Sequence, residues 1–145
     1  MLPRTIVPIL GILCGIPKAD AQAWTQKADI GYHSSNSLDA QWDAATFVLN
    51  GYAYIVAGEY YNGTSTDAVW RFDPEIEEWV PKAAFPGSAR VGASGFELNG
   101  KGYVFGGSPG PGNELWEYDA DADTWIQRAD LPGPGRTDAV SFICE

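Results

Sequence analysis

The sequence predicts an all-β fold of repeated four-stranded antiparallel sheets. Three observations carry that prediction. The first is a phrase that occurs twice. Trp70 to Trp79 reads WRFDPEIEEW and Trp116 to Trp125 reads WEYDADADTW, each running Trp, any residue, aromatic, Asp, five mostly polar residues, Trp. The second is Asn-Gly between two apolar runs, in AATFVLNGYAYIVAG at Asn50-Gly51 and in FELNGKGYVFGG at Asn99-Gly100. A type I′ hairpin turn needs positive φ at both central residues, and Asn-Gly supplies it. The third is composition: 17 Gly, 10 Pro and 6 Trp in 145 residues, many turn formers and large aromatic anchors, with no helical signal.

The elements follow in order. AATFVLN and GYAYIVAG are the first and second strands of one unit, and FELN and GKGYVFGG those of the next. AVWRFDP and ELWEYDA supply a third strand each, with Trp and the second aromatic two residues apart on one face. DPEIEE and DADADT are turns, and a fourth strand starts at or near Trp79 or Trp125. Asn50-Gly51, Tyr54 and Ala57-Gly58 precede Asn99-Gly100, Tyr103 and Gly106-Gly107 by 49 residues. Trp70, Phe72 and Asp73 precede Trp116, Tyr118 and Asp119 by 46. Lys82, Pro86-Gly87, Arg90 and Phe96 precede Arg128, Pro132-Gly133, Arg136 and Phe142 by the same 46. Trp24 to Asp29 (WTQKAD) opens the first copy much as WIQRAD opens the third. One such sheet leaves two faces to cover, so the units must stack. Gly58, Trp70, Asp73, Trp79, Gly106, Gly107, Trp116, Tyr118, Asp119 and Trp125 are therefore read as structural residues of the repeat, and the four tryptophans as core.

The order Arg, Asn-Gly, Tyr-Val-Phe-Gly-Gly, Trp-x-Tyr-Asp, Trp resembles a kelch repeat. The resemblance covers about 24–145 and is fullest in 79–125. The first copy departs from it, with Ala57 for the first Gly of the pair and Gln41 where Arg90 would align. The resemblance implies a kelch-type β-propeller: a first blade over 24–78, a second over 79–124 and the start of a third over 125–145. Propellers close with about four to eight blades, so these blades make an incomplete ring. Arg136 to Glu145 spans the same nine steps as Arg90 to Asn99, which places Glu145 at the tip of a first strand. The expectation is a piece of a longer product; the rival is a short protomer that assembles into a ring.

Residues 1–23 read as a signal peptide. A basic start at Arg4 leads into the apolar run IVPILGILCGI, Pro17 breaks it, and Ala21-Gln22-Ala23 fits a small-x-small cleavage site. The run is shorter than the ~20 residues a bilayer span takes, so the expectation is a secreted, periplasmic or cell-surface protein with no membrane span. Leu13 stands where a lipoprotein signal needs a small residue before Cys14, which argues against lipidation. Beyond the leader one cysteine remains, Cys144, so the mature chain has no internal disulfide. The net charge is −10, and no basic face for nucleic acid is visible.

The chemistry is sparse. The single histidine, His33, lies in HSSNSLD and cannot supply paired imidazoles for a metal or a supported triad, so no catalytic residue and no cofactor are assigned. Asp119, Asp121 and Asp123 alternate as in an oxygen-rich calcium loop, but Thr124 stands where that loop needs Gly. The other reading is a solvated acidic turn, and no metal is expected. Two features suit a ligand. Arg90 and Arg136 precede the innermost strand, which the resemblance places near the mouth of the central channel, where a guanidinium can fork onto a carboxylate. The alternative is an arginine held by turn carbonyls. Tyr60, Tyr61 and Asn62, in the loop between second and third strands, suit sugar stacking or peptide contact. The expected function is an exported interaction module for a protein or glycan at the propeller face, with self-association through open blade edges. The alternative is the front of a kelch-propeller enzyme acting on sugars, similar to a sialic acid epimerase, with catalytic residues beyond Glu145. A third class is a structural adhesion repeat.

Overall fold

The computed structural model describes residues 41–60 and 62–144. The leader over 1–23 with Cys14, the opening WTQKAD, His33, Tyr61 and Glu145 lie outside the described residues. Among the described residues ten strands form: β1 (Gln41–Trp42), β2 (Ala45–Leu49), β3 (Tyr52–Val56), β4 (Glu59–Tyr60), β5 (Val69–Asp73), β6 (Glu78–Lys82), β7 (Val91–Leu98), β8 (Lys101–Ser108), β9 (Leu115–Asp119) and β10 (Thr124–Gln127). Two four-stranded antiparallel sheets result, ordered β2-β3-β5-β6 and β7-β8-β9-β10, with a small pair β1-β4 beside the first. Among the described residues no helix is long and apolar enough to cross a membrane.

Both Asn-Gly turns are as expected. Leu49 pairs with Tyr52 and Leu98 with Lys101. Asn50 and Gly51 take φ of 53° and 83°, and Asn99 and Gly100 take 52° and 74°, the double left-handed geometry of a type I′ turn. The third and fourth strands pair Phe72 with Trp79 and Tyr118 with Trp125. Sheet and sequence repeat are out of phase, however. The first sheet runs to Lys82 and the second to Gln127, so division at Trp79 and Trp125 cuts through the last strand of each blade. The repeat can be cut anywhere along its period, whereas the sheet ends where its ladder ends.

The sheets stack face to face, β2 beside β7. Alternation points Ala45, Phe47, Leu49, Tyr54, Val56 and Val69 of the first sheet at Val104 and Tyr118 of the second, and all are buried. Phe47 stacks on Tyr54 at 5.0 Å between ring centroids, Tyr54 meets Tyr118 edge-on at 5.6 Å, and Tyr118 lies 4.7 Å from Trp125. Phe85, in the link between sheets, is clamped edge-on by Trp116 and Trp125. The four repeat tryptophans are half-buried rather than fully buried; Trp116 and Trp125 lie against Phe85.

The links between units also repeat. Gly58 N–H donates to Arg90 C=O at 2.8 Å and Gly107 N–H to Arg136 C=O at 2.9 Å. Gly92 N–H donates to Asp43 C=O at 3.0 Å, and Asp138 N–H to Gly92 C=O at 2.9 Å. Phe85 N–H reaches Asp67 C=O and Leu131 N–H reaches Asn113 C=O. The third unit thus docks on the second as the second docks on the first. Its first segment, 136–144, forms no ladder among the described residues, so the strand expected there is not formed, though the segment lies beside β7.

Gly107 shows why the second Gly of the pair is required. Its φ is +91°, and an added Cβ would lie 2.9 Å from Val91 O, 3.0 Å from Arg90 Cδ and 3.1 Å from Ala93 Cβ. Gly107→Ala is expected to cost about 2–4 kcal/mol, combining left-handed strain with overpacking. Gly100→Ala, also left-handed but with nothing within 4 Å, should cost only about 1–2 kcal/mol. Urea unfolding of both variants checks this; equal losses would show that the close approach at Gly107 is not what selects glycine.

Candidate functional site

Arg90 sits in the turn before β7, at the end of the sheets where the loops 57–68 and 109–114 emerge. Its side chain is 1% exposed. Nη1 donates to Gly106 C=O at 2.9 Å, Nε to Ser88 C=O at 3.3 Å and Nη2 to Glu114 Oε2 at 2.7 Å. The guanidinium lies 5.1 Å from the Phe85 ring centroid. Nε, Nη1 and Nη2 each donate to the blade's own groups: the turn carbonyls of the alternative reading, with the half-buried Glu114 carboxylate added. Glu114 was not singled out by sequence. Its only signal is internal: the first unit has Gln41 in place of Arg90 and Ala68 in place of Glu114, so the pair is absent as a pair.

Arg136, the repeat equivalent, is exposed. Its Nη2 donates to Pro132 C=O at 2.7 Å and Pro134 C=O at 3.5 Å, and no carboxylate meets it among the described residues. The two arginines therefore do not form one site: one is inside the protein and the other faces solvent.

The loop after β3 is shaped by its own polar groups. Asn62 Oδ1 accepts from Thr64 N–H at 3.0 Å, an Asx turn, and Tyr60 OH accepts from Thr66 Oγ1 at 3.2 Å. Asn62 is exposed and Tyr60 half-buried. β1 lies against this loop, pairing Gln41 with Tyr60 and Trp42 with Glu59. Between the units lies a cavity of about 450 Å³ lined by Trp42, Asp43, Glu59 and Val91. Trp42 is 61% exposed. Trp42, Asp43 and Val91 escaped the sequence reading, which took Glu59 only as the start of the tyrosine loop. A usable signal was the alignment of Asp43 with Gly92 and Asp138, which take φ of 55°, 65° and 54°, so the same left-handed start opens each inner segment.

The acidic turn is structural. Asp119 Oδ1 accepts from Asp121 and Ala122 N–H, and its other oxygen meets Lys101 Nζ at 2.7 Å. Asp123 Oδ1 accepts from Tyr118 OH at 2.5 Å and Ala83 N–H at 3.0 Å. Of the carboxylates in the calcium alternative, Asp119, Asp121 and Asp123, Asp123 turns into the sheet interface while Asp119 binds its own turn. Among the described residues no group of three or more His, Cys, Asp or Glu could hold a metal. The Arg128 fork on Glu117 (2.8 and 2.7 Å), helped by Tyr103 OH at 2.7 Å, holds the Glu117 carboxyl below its ordinary value. Lys101 does the same for Asp119. Burial pushes Asp123 up, but the bonds from Tyr118 and Ala83 outweigh it and its pKa is lowered. Burial, with the bond to Asp123, raises the Tyr118 phenol.

Residues 43–86 match the family model of the kelch motif. Among solved structures the chain is similar to that titled "Structure of YjhT", at 26% identity and a TM-score of 0.60, over 72% of this chain and 32% of that one. The chain thus matches about a third of the length of that structure. No curated protein matches.

Removing the buried Arg90 side chain empties its place under the turn and leaves the half-buried Glu114 without its partner. Arg90→Ala is expected to cost about 3–5 kcal/mol, read as a lower melting temperature. An unchanged melt would return Arg90 to the ligand-binding candidates. Glu117, Asp119 and Asp123 contribute stability present above the unfolded carboxyl range, about pH 4, and lost as pH falls through their lower folded values. Urea midpoints between pH 7 and 2 should fall on the acid side, and Glu117→Gln should make that fall shallower. An unchanged slope would remove Glu117 from the acid response.

Proposed function

This chain is built of kelch repeats folded as propeller blades, and on that premise we propose that it is an exported interaction module binding a protein or glycan ligand at the loop end of its blades. Export is supported by the leader pattern of residues 1–23. The observation that carries the binding reading is the cavity between units, where exposed Trp42 stands beside Asp43 and Glu59, with Tyr60 and Asn62 on the adjoining loop. An indole face takes a sugar ring or an apolar side chain, and carboxylates accept from hydroxyls or cationic groups. The loops carrying them differ between units while the sheets beneath do not, as expected where a scaffold presents a variable surface. Exposed Arg136 is placed to add one cationic group on the third unit.

The test is to screen the full chain against an oligosaccharide panel and a displayed peptide library, then repeat each hit with Trp42→Ala and Asn62→Ala. Trp42 is largely exposed, so its loss should leave melting unchanged while weakening a true ligand by roughly tenfold or more, the scale of an aromatic contact residue. A ligand that binds both variants as well as the parent would place the site elsewhere. Chemical conversion of a bound sugar by the chain would overturn the module reading in favour of an enzyme.

A further inference from the structure

The loop after β4 carries a motif that the stacking of the blades does not need. Asparagine stands at positions 36, 50, 62, 99 and 113, and only Asn62 has a hydroxyl side chain two residues on, in Asn62-Gly63-Thr64. At the same distance the others have Leu38, Tyr52, Lys101 and Leu115. Asn-x-Thr, with x other than Pro, is the acceptor pattern for transfer of an oligosaccharide to a side-chain amide. The matching stretch of the second unit, SPGPGN, does not repeat it, so the motif is no part of the blade's own architecture.

The structure presents this motif openly. Asn62, Gly63 and Thr64 are all exposed. The loop is tied at its base, where Tyr60 N–H donates to Thr64 C=O at 3.0 Å and Thr66 N–H to Gly58 C=O at 2.8 Å. Its tip stands in open space: a Cβ added at Gly63 would meet nothing within 4 Å. Asn62 Oδ1 accepts from Thr64 N–H at 3.0 Å. That bond occupies the amide oxygen and leaves Nδ2, the atom that must react, without a partner among the described residues. It also joins the Asn62 side chain to the residue whose hydroxyl completes the pattern. A bulky hydrophilic group on Nδ2 would therefore displace no packed side chain.

We propose that Asn62 is an N-glycosylation site, modified as the chain enters a secretory compartment. This rests on the export reading of residues 1–23 and is independent of the ligand reading at Trp42. The donor is an oligosaccharide carried on a lipid pyrophosphate, and the step is a substitution at the anomeric carbon of its first sugar. A bond forms between Nδ2 and that carbon. The bond from the carbon to the pyrophosphate oxygen breaks, and the lipid pyrophosphate leaves with the electron pair. Nδ2 gives up one proton to the transferase, and no oxidant or reductant is needed. The glycan then stands on the loop end of the first blade, where it adds a large hydrated group to the surface.

The test is to synthesise the full chain, with its own leader, in the presence of secretory microsomes and to read its mass. The expected product has lost the leader and gained one oligosaccharide, which an amidase specific for the Asn–sugar bond removes. Thr64→Ser should keep the gain and Thr64→Ala should abolish it. Both variants keep the Thr64 N–H that bonds Asn62 and alter only an exposed side chain, so their melts should match the parent's. A chain that loses its leader but gains no glycan would overturn the proposal and leave export standing. A chain that keeps its leader and stays outside the microsomes would overturn both, because the donor is displayed inside. Equal modification of Thr64→Ala would also overturn it, since attachment would then not follow the motif.

Discussion

The fold depends on how closely two sheets approach at one aromatic ring. Phe47 occupies space that any side chain at position 102 would fill, and the Thr46 carbonyl occupies space that any side chain at position 95 would fill. That approach brings Tyr54 onto Tyr118 and lets Trp116 and Trp125 close on Phe85 from the opposite side. Each buried large side chain contributes on the order of 1.5–3 kcal/mol, but only at this separation. The strands of the first sheet are at most five residues long, too short for ladders alone to hold a blade. The stacking, not the hairpin, is the unit of stability, as in other linear repeats.

The same constraint sorts the arginines. Arg90 is enclosed because the strands after it return Gly106 C=O and Glu114 to its guanidinium. Arg136 has the same sequence neighbours before it but no such return among the described residues, and it stays in solvent. A position in a repeat therefore has no fixed role until its neighbours are counted. A buried arginine with a paired carboxylate is a clamp on the blade, and its forked geometry, which made it attractive as a ligand site, is used on the protein itself.

Much of the fold was legible in the sequence because it rests on local chemistry said more than once. Asn-Gly demanded its turns, the alternation of Trp70 with Phe72 and of Trp116 with Tyr118 set the faces, and the Gly pair marked the close approach. Three things were not legible. The strands of each sheet were read in order, but the limit between one blade and the next was hidden, because a periodic sequence has no preferred cut. Glu114 was hidden because a lone acid beside a strand looks like any surface acid until an arginine is found under it. The cavity of Trp42, Asp43 and Glu59 was hidden because it is built across units, from a two-residue strand too short to show any pattern.

That cavity stands where the repeat departs from itself. In the second unit Arg90 and Glu114 fill the loop end between β8 and β9. In the first unit Gln41 and Ala68 hold those positions, no ion pair can form between them, and the chain instead lays β1 against β4 with Trp42 opposite Glu59. The aromatic side chains that recur in the described units lie mostly on the stacked faces of the sheets. What is left for a ligand is whatever differs between units, so the indole of Trp42, the Asx-turned loop at Asn62 and the acids beside them are the groups that the fold leaves free to act.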